Sequence, residues 1–416
     1  MADDCKSEGG KALTQLDQVD HSNASSKGTK SAQSLAQLEG QLSARFEPIQ
    51  ESEFMSIESQ HQIQAAKLAG RKASPMDSTE AQNYADDAKQ YLRERVIKIK
   101  HMQGALNGLD LSGADLHGLD FRGSDFTGVM LESANLANCN SSGVAMNGAI
   151  MTSANLEGAV FDNCSFSDVN LSMVNAPGAS FRNSEFKQVT AIRSNFRECD
   201  FSNCSLEAIA LVECNLDQCC LESSTFLNVQ FCKTSMLSTQ WQLASLKQSI
   251  FVESQLVQAS FSQATLVRCI FLQVDASGSD FSGSNLDRVQ FGGATLFDDS
   301  DFSNITGTTI GFRCVDLSGC SFVNAAIKES DFGNCKLVNV NMNGAGFLRC
   351  IFSGARLAEI HAVKSNFMES LMRKSCWINA DLRHSEFFSA NLKESSFSNC
   401  DLRHAKNLSL PIGETL

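Results

Sequence analysis

The sequence predicts an all-β solenoid, a chain wound into a roughly square coil, and three observations predict it. From Leu106 to Leu402 a bulky apolar residue returns every fifth position, with a small residue two places before it. Of the 28 phenylalanines, 24 fall on these places, the exceptions being Phe46, Phe54, Phe297 and Phe388. Like residues also recur at twenty, as in Phe161, Phe181 and Phe201. A 3.6-residue period would smear such positions around a helix, and a period of two would put alternate phenylalanines in water. A coil whose short sides each turn one large and one small side chain inward satisfies both spacings.

The first stretch of the frame reads Leu106, Leu111, Leu116, Phe121, Phe126, Leu131 and onward to Leu296. It then slips by one residue between Leu296 and Phe302 and continues to Leu402, giving 60 bulky places. One twenty-residue column holds Phe231, Phe251, Phe271, Phe291 and, past the slip, Phe312, Phe332 and Phe352. A second is mainly leucine, with Leu116, Leu136, Leu156, Leu216, Leu256 and Leu296, while Phe121, Phe161, Phe181 and Phe201 belong to a third. Four fives per turn give about 15 turns, and at about 4.8 Å per turn a rod on the order of 70 Å long. These side chains are the expected core.

The motifs Ala114-Asp115-Leu116, Ala134-Asn135-Leu136, Ala154-Asn155-Leu156, Ala380-Asp381-Leu382 and Ala390-Asn391-Leu392 carry a resemblance. Residues 105–406 resemble the pentapeptide-repeat proteins, whose pattern is A-(D/N)-L-x-x. The resemblance implies a right-handed quadrilateral β-helix. That family includes gyrase-binding proteins that mimic DNA and secreted bacterial effectors, so membership leaves the task open.

Four segments follow in order: 1–45, 46–104, 105–406 and 407–416. Residues 1–45 are rich in Ser, Gln, Ala, Lys and Gly and hold too little apolar surface to offset ordering, which predicts a disordered leader. The segment is read either as a solvated tail or as a leader for signal-peptide-independent secretion into a host cell. In residues 46–104, Phe54, Ile57, His61, Ala65 and Leu68 recur at helical spacing between Ser52 and Gly70. A second helix is expected from Ser78 to about Lys100, with Ala81, Tyr84, Ala85, Ala88, Leu92, Val96 and Ile99 on one face. A solenoid must hide the open end of its first coil, so this helix is assigned as a cap over Leu106 and Leu111. An oligomerisation hairpin is the alternative. Residues 407–416 include Leu408, Leu410 and Ile412, apolar enough to cap the last coil or to dock a partner.

Eleven of the 16 cysteines take the small inward place: Cys139, Cys164, Cys199, Cys204, Cys214, Cys219, Cys269, Cys320, Cys335, Cys350 and Cys400. Buried thiols behave as small hydrophobes, so these read as core filler in a reducing compartment, the cytoplasm. Cys199 and Cys219 stack one turn apart without being assigned as a disulfide. Ser141, Ala176, Ala191, Ala276, Gly307 and Ala362 stand where a large residue is expected. Kinks or bulged corners are expected near 176, 191 and 307, and a small bulge between Leu296 and Phe302.

No catalytic, cofactor-binding or metal-ligating residue is assigned, because no nucleophile elbow, phosphate loop or zinc pattern is present. The strongest local candidate is Asp381-Leu382-Arg383-His384 above Asp401-Leu402-Arg403-His404, which should stack in short ladders. Residues 101–416 hold 32 acids and 21 bases, against 15 and 13 in residues 1–100. An acidic rod disfavours direct nucleic-acid binding, and no apolar run is long enough for a membrane span. Two functional readings remain. One is a non-enzymatic scaffold for a protein partner, delivered into a host cell if the leader is a secretion signal. The other is a DNA mimic that inhibits or protects gyrase, with a continuous acidic stripe and a homodimer through its C-terminal end.

Overall fold

The computed structural model describes residues 86–408. The expected helix between Ser52 and Gly70, Tyr84, and the tail from Ser409 onward lie outside the described residues. From Leu106 on, the chain is a parallel β-solenoid. Asp120, Asn140 and Val160 begin a column that parallel bridges carry without a gap to Asp381 and Asp401. Three-residue strands form where the sides are most extended, in parallel sheets of ten, six and four strands. Register is twenty residues throughout, as in Phe231 opposite Phe251. It becomes twenty-one only where Leu286 faces Gly307 and at neighbouring pairs that span the extra residue.

Phe121, Phe161, Phe181, Phe231, Phe251, Phe271, Phe312, Phe332, Phe352, Leu116, Leu136 and Leu156 are fully buried, and Phe201 and Phe291 nearly so. They are piled in files. Phe161–Phe181 and Phe181–Phe201 ring centroids lie 5.5 and 4.9 Å apart, with planes within 9°. The Phe231–Phe251 and Phe332–Phe352 steps are 4.6 and 4.8 Å. This spacing is the coil rise itself, so identical side chains repeat at close to van der Waals contact. Both tryptophans are buried, and each indole N–H donates to a hydroxyl two residues earlier, Thr239 for Trp241 and Ser375 for Trp377, both at 2.8 Å.

Two other places of the five-residue unit have jobs that the apolar pattern leaves unspecified. The Asp or Asn before the bulky residue accepts a hydrogen bond from the amide two residues on, as Asn155 does from Glu157, and fixes the corner. The place two after the bulky residue adopts a left-handed backbone at nearly every corner, from Gly108 (φ 68°) through Asn163 (φ 58°) to Leu243 (φ 59°). Glycine and asparagine tolerate that region, and Leu243 is held there against its own preference.

Two expectations need correction. The extra residue sits earlier than the slip placed between Leu296 and Phe302. Phe297 is buried, 5.1 Å from the Phe291 ring and 5.2 Å from Phe302, whereas Leu296 points outward and pairs with Asp275 and Asp316 in a surface column. The space between the Phe291 and Phe302 rings takes the aromatic ring in preference to leucine, and Gly292-Gly293 supplies the pliable corner. No kink interrupts the pairing at 176, 191 or 307. Ala176 donates to Asn195 O at 2.8 Å, and Thr190–Ile192 and Thr306–Thr308 are ordinary strands in register. Compensation is internal instead. Ile310 Cδ1 stands 2.5 Å from where a Gly307 Cβ would lie and fills its space. At Ala191 nothing does, and a cavity of about 30 Å³ remains, lined by Leu171, Ala191, Leu211, Phe196, Phe201 and Leu206 among other apolar side chains.

Before the coil, helix α1 (Asp86–His101) lies on its open end. Val96 is fully buried, and Leu92 and Ile99 pack on the core. Arg93 Nη1 donates to the carbonyls of Asp115 and His117 at 3.1 and 2.9 Å, and Lys100 Nζ stands 5.2 Å over the Phe121 ring. Tyr91 faces solvent. At the far end Leu402 and Leu408 are partly buried against the core.

Candidate functional site: the outer faces of the coil

Inside the coil there is only packing. The small inward place carries Ser, Thr or Cys more often than Ala, and many of those side chains donate to a main-chain carbonyl of the preceding turn. Ser184 and Ser224 reach Phe161 O and Phe201 O at 2.7 and 2.6 Å. Cys199 and Cys204 reach Ala176 O and Phe181 O, both at 2.9 Å. The inward cysteines are therefore donors as well as filler. Burial pushes the Cys139 and Cys164 thiols up to about 11 and those of Cys204, Cys214 and Cys269 up to about 12. Cys199 and Cys219 each donate to a carbonyl and are not joined by a disulfide.

Outside, the twenty-residue register converts sequence into ladders. Asn135, Asn155, Asn175 and Asn195 form one, each amide donating to the side-chain oxygen one turn earlier at 3.0–3.3 Å. Charged columns alternate in sign. Arg193 bonds Glu213 at 2.7 Å, Lys233 stands 3.7 Å from Glu253, and Arg349 lies between Glu329 and Glu369. Arg182 is 3.2 Å from Asp162 and 3.6 Å from Asp200. These pairs are solvent-exposed and individually weak, but they fix where each charge sits. His384 and His404 stack at 4.7 Å beside the Asp381–Arg383 and Asp401–Arg403 pairs, each 2.7 Å. Arg383 holds the Asp381 carboxyl below its usual range. No group of three metal-ligating side chains forms among the described residues.

One face departs from this polar pattern. On the six-stranded sheet the residues one place after the inward column point outward and are mostly apolar, Ile192, Val212, Cys232, Val252 and Leu272, joined by Ala210 and Ile250 from the other flank. They form a hydrophobic cluster separate from the core, on the other side of the wall made by Leu211, Phe231, Phe251 and Phe271. The five-residue core pattern does not predict this ladder, although Val, Ile and Leu recurring one place after the bulky residue at twenty mark it in the sequence. Further along the same face Asp331 is fully buried, accepting from Gly333 N at 2.7 Å and from Arg313 at 3.3 Å. Burial pushes its carboxyl up, and the Gly333 amide and Arg313 pull it back only in part.

No helix among the described residues is long and apolar enough to cross a membrane. No curated protein matches the chain. Among solved structures it is similar to HetL, a protein of the cyanobacterium Nostoc sp. strain PCC 7120 involved in heterocyst differentiation regulation, at 16% identity over 60% of this chain and 88% of that one, with a TM-score of 0.21. It is also similar to QnrB1, a plasmid-mediated fluoroquinolone resistance protein, at 19% identity over 45% and 91%, with a TM-score of 0.32. The A-module of the Azotobacter vinelandii mannuronan C-5 epimerase AlgE4 aligns at 8% identity over 78% and 96%, with a TM-score of 0.22. Likenesses of this size carry no argument about function. The family models are more specific. The model for pentapeptide repeats (8 copies) matches residues 105–128, 129–163, 164–203, 312–344 and 365–404, and the pentapeptide repeat region model matches 224–302. With more than half of its length covered by those matches, the chain belongs to the pentapeptide-repeat family.

Proposed function

We propose that this protein is a non-enzymatic interaction scaffold whose flat outer faces recognise a protein partner. The observation that carries the reading is the filled interior. Ring files at 4.5–5.5 Å leave no polar pocket in the coil, so chemistry is available only outside, as side chains held at fixed spacing. A rigid, pre-ordered array suits recognition because little ordering remains to be done on binding.

The gyrase-directed alternative requires carboxylates to follow one another along the rod. Carboxylates stack directly on successive turns at Asp280–Asp301 and Asp381–Asp401, whereas Arg182, Lys233 and Arg349 interrupt other columns. That interleaving favours the scaffold reading. Delivery into a host cell rests on the composition of residues 1–45 and on the family resemblance.

Affinity capture with the full chain from bacterial and eukaryotic lysates, repeated with the charge-reversed variant Arg193→Glu/Arg349→Glu, tests the reading. A protein retained by the wild type and lost by the equally stable variant supports it. Inhibition or protection of gyrase in a supercoiling assay, with no other partner captured, overturns it in favour of the mimic.

A further inference from the structure

The aromatic files that fill the coil stop for one turn. Phe161, Phe181 and Phe201 stack at 5.5 and 4.9 Å, and Phe166 and Phe186 at 4.7 Å. The bulky places of the next turn are Leu206, Leu211, Leu216 and Leu221, with no ring among them, and rings resume at Phe226 and Phe231. The turn before the four leucines is itself short of volume, because Ala191 stands where its three partners, Phe186, Phe196 and Phe201, are rings. The two deficits meet on the axis of the coil, where side chains from all four sides line the cavity of about 30 Å³. Its lining is apolar throughout. The inward hydroxyls and thiols of these turns are already committed. Ser184, Ser194 and Ser224 donate to the carbonyls of Phe161, Leu171 and Phe201 at 2.6–2.7 Å. Cys199, Cys204 and Cys214 donate to those of Ala176, Phe181 and Ala191 at 2.9–3.2 Å.

We propose that this cavity is a binding site for one small apolar molecule without hydrogen-bonding groups, of the size class of xenon or dioxygen. The guest is held by dispersion contact with Ala191, Leu206, Leu211 and the Phe201 ring. Water is a poor occupant, because a buried water needs two to four polar partners and the lining residues offer none. The space is nevertheless more than the minimum of roughly 10–15 Å³ that a single water needs, and apolar space left empty forfeits contacts that a guest restores. The lining excludes a polar or charged ligand, and the volume excludes a sugar or a nucleotide. Access is by local opening: each turn rests only on its neighbours, and the turn of four leucines lacks the ring contacts that tie the turns on either side. The site lies inside the coil and is independent of whatever the outer faces recognise.

Xenon gas is the probe, applied to the full chain with its leucine methyl groups isotopically labelled for NMR. The expected result is saturable binding, with methyl shift changes centred on Leu171, Leu206 and Leu211 and absent from the distant Leu256 and Leu286. The melting temperature should rise with xenon pressure and not with the same pressure of helium. Ala191→Val fills the space without a polar or bulky intrusion, and should lose at least tenfold in xenon affinity while melting no lower than the wild type. Lys247→Ala, on the outer wall, should bind xenon as the wild type does. The proposal is overturned if the wild type shows no saturable binding, or if the folded Ala191→Val variant binds as tightly. It is equally overturned if the methyl shifts are scattered along the coil, or if cross-relaxation detects a resident water beside the Leu211 methyls.

Discussion

Phe251 lies on Phe271 with ring centroids 4.5 Å apart and planes at 5°, and both rings are fully sealed from water. Each is also edge-on to Phe261 at 6.5 and 6.3 Å, so removing one ring opens a hole bounded by aromatics on two sides. Phe251→Ala should cost about 3–5 kcal/mol and Phe251→Leu about 1–1.5 kcal/mol. Because each turn rests only on its neighbours, hydrogen exchange should quicken in the turns around residues 231–291 before distant ones.

Ala191 is the opposite case, a place already short of volume. Ala191→Val puts two methyl groups into the apolar cavity beside Leu171 and Leu211 and should stabilise by about 1 kcal/mol, read as a higher melting temperature. Ala191→Asp should prevent folding of the surrounding turns, since the cavity lining offers no polar partner.

The inward thiols give the rod an alkaline limit. Their ordinary value is 9.0, and burial raises Cys204, Cys214 and Cys269 to about 12 in the folded chain. Between those values the folded state keeps protons that the unfolded state has released. Stability is therefore complete below about pH 9 and falls as pH rises toward 12, by on the order of 1.4 kcal/mol per pH unit for each such thiol. Thermal melts at pH 8, 9, 10 and 10.5 should show a steepening loss, and replacing Cys204, Cys214 and Cys269 together by Ser should lessen its slope while Cys139 and Cys164 sustain the remainder.

Cysteine and serine should also exchange with unusual ease at the inward place. Cys199→Ser keeps a donor aimed at Ala176 O, the arrangement that Ser184 and Ser224 already use, so a loss below about 1 kcal/mol is expected. Cys199→Val removes the donor and should cost more than Cys199→Ser in denaturant unfolding.

Asp331 and Arg313 form a pair in which the acid is enclosed and the base is partly solvated. Arg313→Ala leaves a buried carboxylate with only the Gly333 amide, and should destabilise by about 1–3 kcal/mol at pH 7, the cost of an under-satisfied buried acceptor. The raised folded value means that the loss shrinks as pH falls and the carboxyl takes up its proton. Arg313→Ala/Asp331→Asn should recover most of it, which a double-mutant cycle measures.

The primary structure by itself determined the five-residue unit, the twenty-residue turn and the identity of the inward files, because a dry axis demands a large side chain at fixed intervals whatever lies around it. Phe161, Phe181 and Phe201 are piled as their spacing requires. Its five-residue frame put Leu296 inward, whereas in the coil the adjacent Phe297 takes that place. That choice depends on the shape of the space between Phe291 and Phe302, a property of neighbouring turns and not of local pattern. Tertiary structure alone also decided how missing volume is handled, with Ile310 filling in at Gly307 and a cavity left at Ala191. It decided as well that Val212, Cys232, Val252 and Leu272 gather into one outer stripe, since side chains twenty residues apart become neighbours only once the coil has closed.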